Sequence, residues 1–88
     1  MLYVVTHDSR TDAERSSALA YIQSVARSVW SFSDGACFIE AAESGVDIRR
    51  GLSHVLEPGA RIVVAMLAGF APWQGFDKES EIWLARHL

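Results

Sequence analysis

Leu2-Tyr3-Val4-Val5 is an unbroken apolar run, and Thr6-His7-Asp8-Ser9 closes it in polar residues. A short run bounded this way predicts a strand over 2–7, with Asp8 at its tip. Thr11-Asp12-Ala13-Glu14 then has the form of a capping box, with Thr11 as N-cap and Glu14 reaching back to its amide. The helix predicted after it runs to about Ser28. Ala18, Leu19, Ile22, Val25, Ala26 and Val29 recur at three- and four-residue spacing and make its apolar stripe. Val29–Phe32 and Ala36–Ile39 read as two short strands around Ser33-Asp34-Gly35. Asp-Gly is a strong hairpin signal because both residues tolerate positive φ. A second helix is predicted from Ser44, with Ser44 and Asp47 as a weaker capping box. Its buried face is Ile48, Leu52, Val55 and Leu56, and Pro58-Gly59 stops it. Residues 61–68 give the last long strand. Gly69–Phe76 is an aromatic loop, and Asp77 caps a C-terminal helix over 78–87.

This βαββαβ order predicts one ferredoxin-like α+β domain over residues 1–88. Four antiparallel strands would carry two main helices on one face, with a short C-terminal helix added. The last strand changes the picture. Ile62, Val64 and Met66 point one way and Val63, Ala65 and Leu67 the other, and all six are apolar. A sheet with one wet face alternates apolar and polar residues. Both faces of this sheet therefore need cover. The expectation is that the aromatic C-terminal segment and a second copy of the chain supply it, giving a homodimer. Its interface is assigned to Val63, Ala65, Leu67, Phe70, Trp73 and Phe76.

Composition narrows the partners. The net charge is −3, and residues 1–44 hold three Arg against six Asp and Glu. A nucleic-acid binder usually shows a basic stripe, and this chain shows none; Arg10, Arg15, Arg49 and Arg50 are the candidate phosphate contacts. Cys37 is the single cysteine, so no intrachain disulfide is possible, and its apolar strand predicts a buried thiol. No apolar run reaches the ~20 residues a bilayer span needs. With no leader signal either, the chain reads as cytoplasmic, with no membrane partner.

Candidate chemistry centres on Asp8. A carboxylate is a ligand for Mg²⁺ or Mn²⁺, and two copies across a dimer axis would make a better site than one. The plainer alternative is an aspartate that caps the turn before the first helix. His7 and Ser9 are the candidate assistants, His7 as base. His54 and His87 lie too far apart in sequence for a zinc spacing.

The strand-tip acid, the hairpin, the second helix and the apolar last strand together resemble the superfamily of CRISPR-associated protein two and virulence-associated protein D. The C-terminal half is most similar to small bacterial and phage proteins called SinR-like. The residues that carry this are Arg61-Ile62-Val63-Val64-Ala65-Met66-Leu67-Ala68-Gly69, Trp73-Gln74-Gly75-Phe76 and Ile82-Trp83-Leu84. The resemblance implies a ferredoxin-like protomer that dimerises through its sheet. In some members it implies a strand-tip aspartate, here Asp8, tied to divalent metal and nuclease activity. In others it implies a structural bridge inside a larger complex. His7 stands where the family often has an aromatic, and this chain is acidic where the family tends to be basic.

The leading expectation is a homodimeric, non-catalytic interaction or scaffold protein with a protein partner; the resemblance alone implies a bacterial or phage defence-related setting. The alternatives are a metal-dependent endonuclease built on paired Asp8 residues, and a small-molecule regulatory module at the dimer interface. Fold analogy does not choose among them.

Overall fold

Tyr3 and Val5 alternate with Leu2, Val4 and Thr6, and that alternation sorts the first strand, β1 (Leu2–His7). Tyr3 and Val5 are fully buried on one face. In this computed structural model, which describes residues 1–68 and 74–87, the elements follow in the expected order. They are β1, α1 (Asp12–Val25), β2 (Ala26–Ser33), β3 (Ala36–Ala41), α2 (Gly45–Val55), β4 (Ile62–Leu67) and α3 (Lys78–His87). The sheet order is β2-β3-β1-β4, antiparallel throughout. This is a ferredoxin-like α+β fold.

Ala18 and Ile22 of α1 and Ile48 and Leu52 of α2 pack over Tyr3, Val5, Cys37 and Ile39 to form the main core. Gly51 lets the two helices approach, because a Cβ there would collide with the Tyr21 ring. Both helix starts are capped as expected. Thr11 Oγ1 accepts from Glu14 N at 3.1 Å, and Ser44 Oγ accepts from Asp47 N at 3.2 Å. The Glu14 carboxylate does something else: it accepts from Glu57 N at 3.2 Å, tying the start of α1 to the end of α2.

Two local expectations are corrected. The first helix stops at Val25, and Ala26–Ser28 belong to β2. Ala26 pairs with Ala41 and Ser28 with Glu40, so sheet pairing overrides a helical periodicity that would have carried through Val29. The hairpin turn does fall at Asp34-Gly35, but neither residue has positive φ; among the described residues that conformation belongs to Gly59 and Gly75. Gly35 is required for closeness instead. A Cβ there would sit 2.6 Å from the His7 carbonyl oxygen, and Gly35 O accepts from His7 N at 2.9 Å.

Among the described residues, the sheet face away from α1 and α2 is covered over one half. Asp77 caps α3 by accepting from Ser80 N at 2.8 Å, and its carboxyl is held below the ordinary range by those Ser80 hydrogen bonds. Trp83 of α3 then stacks near Phe38 of β3 and Trp30 of β2, with ring centres 6.3 and 6.5 Å away. Leu84 is fully buried beside it. Phe76 meets Phe32 edge-on at 5.9 Å. The C-terminal segment therefore covers the β2–β3 half of this face within its own chain.

Candidate functional site

The half over β1 and β4 has no cover among the described residues. The pairing Thr6–Val63, Val4–Ala65 and Leu2–Leu67 puts these residues side by side on the open face. All but Thr6 are apolar, and Val63 is 56% exposed. Of the expected interface, Val63, Ala65 and Leu67 lie in this strip. Phe76 does not: it is half-buried against Phe32 of its own chain. Phe70 and Trp73 lie outside the described residues.

Asp8 continues the alternation Leu2, Val4, Thr6 and so stands at the polar end of the strip. Its Oδ2 accepts from Arg61 Nε at 3.2 Å. Arg61 was not among the candidate residues. Strand register would have found it: the ladder ends at His7 and Ile62, and Asp8 and Arg61 are the next residue on each side.

His7 lies on the other face. It lines a cavity of about 160 Å³ with Arg15, Leu19, Ile22, Ser31, Asp34 and Cys37, among others. Its Nδ1 is 2.6 Å from Ser9 Oγ. Burial, and then the charge of Arg15, push the imidazole below its ordinary pKa. A neutral imidazole on a hydroxyl is a base–nucleophile couple in outline. The structure thus joins His7 to Ser9 and Asp8 to Arg61, and does not gather Asp8, His7 and Ser9 into one group. Cys37 shares the cavity, but burial pushes its thiol up to about 11, so it is held as the unreactive thiol.

The four candidate phosphate contacts do not form a patch. Arg10 faces Glu57 at 3.9 Å, Arg15 pairs with Asp12 at 2.6 Å, and Arg50 faces Asp47 at 3.6 Å. Arg49 lines a separate groove between α2 and β4. Among the described residues, no three His, Cys, Asp or Glu side chains of one chain form a metal-ligand group. Among them, too, no helix is long and apolar enough to cross a membrane.

No protein-family model matches the chain, and no curated protein matches it. Among solved structures it is similar to the hypothetical protein TT1823 from Thermus thermophilus. The TM-score is 0.64 at 22% identity, over 85% of this chain and 90% of that one. The likeness is one of fold.

Proposed function

We propose that the protein is a homodimeric interaction module that acts as a scaffold, without catalysis, and that its dimer forms on the β1–β4 half of the open sheet face. One observation carries this reading. Among the described residues, α3 covers the sheet over β2 and β3 and nothing covers the apolar strip of Leu2, Val4, Val63, Ala65 and Leu67 beside it, where Val63 is exposed and the other four are half-buried. An isologous dimer buries the same patch twice. Burial of such a strip supplies roughly 25 cal/mol per Å² of apolar surface. The resemblance stated above adds a bacterial or phage defence-related setting and a protein partner.

The test is sedimentation at tens of micromolar. The wild type is expected to run as a dimer and Val63→Asp as a folded monomer. A wild-type monomer at that concentration sinks the reading.

A second reading, a metal-dependent endonuclease, is favoured by the position of Asp8. It stands at the end of the same strip, so a two-fold axis near that end would bring two carboxylates together. Such a pair could hold Mg²⁺ or Mn²⁺, and the metal would supply the attacking water. Arg61, released from Asp8 by the metal, would face phosphate. Cleavage of single- or double-stranded DNA or RNA that needs metal and disappears in Asp8→Asn would establish it. No cleavage, or equal cleavage by both proteins, would leave Asp8 as a partner of Arg61.

A further inference from the structure

Among the described residues β4 is the last strand of the sheet, so one row of its backbone N–H and C=O groups has no strand partner there. Proteins usually blunt such an edge with charge, proline or a bulge. β4 reads Ile62-Val63-Val64-Ala65-Met66-Leu67 and has none of these; its pairing to β1 runs without a register shift, and Met66 is 60% exposed. Beside this edge lies a groove of about 320 Å³ between β4 and the start of α2. Tyr3, Val64 and Met66 give it apolar walls, with Val46 on the helix side. Arg49 lines it too, and among the described residues Arg49 makes no salt bridge, whereas its neighbour Arg50 faces Asp47.

We propose that this edge and groove form a docking site for an extended peptide that adds as a fifth strand along β4, seats an apolar side chain between Val46 and Met66, and presents a carboxylate to Arg49. Strand addition draws affinity from main-chain hydrogen bonds and specificity from side-chain pockets. Both parts are present here on adjacent surfaces. Charge sets the occupant: the groove offers a cation, and among the described residues no acid pairs with it. The inference rests on the interaction-module reading for its class of function. It uses the edge and the helix side of β4, whereas the dimer uses the opposite face.

The experiment is fluorescence anisotropy with two dye-labelled peptides of alternating Val and Thr, one ending in Glu and one in Lys. The Glu peptide is expected to bind about two- to fivefold more tightly, the size of a solvent-exposed ion pair. Arg49→Glu should reverse that order, and Met66→Lys should weaken both peptides. Val63→Asp, which tests the dimer, should leave peptide binding in place. Equal binding of the two peptides by wild type and Arg49→Glu would overturn the proposal. So would no binding at millimolar peptide, or loss of the dimer in Met66→Lys, which would mean that a second copy occupies the edge.

Discussion

Trp83 Nε1 donates to Ser28 Oγ at 2.7 Å, across 55 residues of chain. This bond fixes α3 to the strand at the far edge of the sheet. The indole also stacks on His87, with ring centres 4.0 Å apart, so one side chain orders both the helix and its contact with β2. Trp83→Phe keeps an aromatic surface and removes the donor. It should cost about 1 kcal/mol, the usual net value of such a bond. Ser28→Ala should cost a similar amount, and the double variant should cost less than the sum. Urea denaturation of the four proteins measures this.

Gly35→Ala should destabilise the end of β1 that carries Asp8. The added Cβ would meet the His7 carbonyl oxygen at 2.6 Å, so backbone must move. The expected loss is about 1–3 kcal/mol, as for other overpacked sites. Thermal unfolding gives the value. A change of less than a few tenths would show that the hairpin shifts freely.

His7 makes stability depend on pH in a definite direction. Burial and Arg15 hold its folded pKa below the ordinary 6.5. Just below pH 6.5 the unfolded chain therefore binds a proton that the folded chain refuses. Its contribution is complete above about 6.5 and is lost as pH falls toward the folded value. Melting temperatures from pH 7.5 to 5 should fall more steeply for wild type than for His7→Gln. Parallel curves would contradict the shift.

Cys37 titrates in the opposite sense. Burial moves its thiol from 9.0 to about 11. The folded chain keeps the proton that the unfolded chain gives up, so its contribution is complete below pH 9 and is lost as pH rises toward 11. The thiolate is the reactive form. At pH 8 an aromatic disulfide reagent should label native protein at least about tenfold more slowly than protein in denaturant. Equal rates would mean that the strand opens readily.

The parts of this fold that were legible in the sequence are those written locally. Thr11 and Ser44 cap helices because a short hydroxyl before an amphipathic segment satisfies a free amide whatever the rest of the chain does. β1 is an apolar run closed by Thr6-His7-Asp8, and β4 is an apolar run that starts after Arg61. What was not legible depends on partners distant in sequence. Ala26–Ser28 continue the helical stripe in sequence and are strand only because β3 is there to pair with. Arg61 looks like an ordinary first residue of a strand until register brings it to Asp8. Phe76 reads as cover for the open sheet face, but that its partner is Phe32 of its own chain is set only when α3 folds back. The site was legible as residue types and not as groupings. Adjacent residues on a strand point to opposite faces, which is how His7 and Asp8 part company.

α1 passes into β2 with no intervening loop: Val25 is the last helical residue and Ala26 the first of the strand. No slack exists at this junction to absorb a change in chain length. One residue inserted after Val25 must be taken up by one side or the other. If the strand takes it, Val29 and Trp30 exchange faces, and Trp83 loses its partner. If the helix takes it, Ala18 and Ile22 rotate by about 100° out of the core. The Pro58–Ala60 turn between α2 and β4 faces no such choice. Lineages of this fold should therefore vary in length at the second connection and hold it constant at the first.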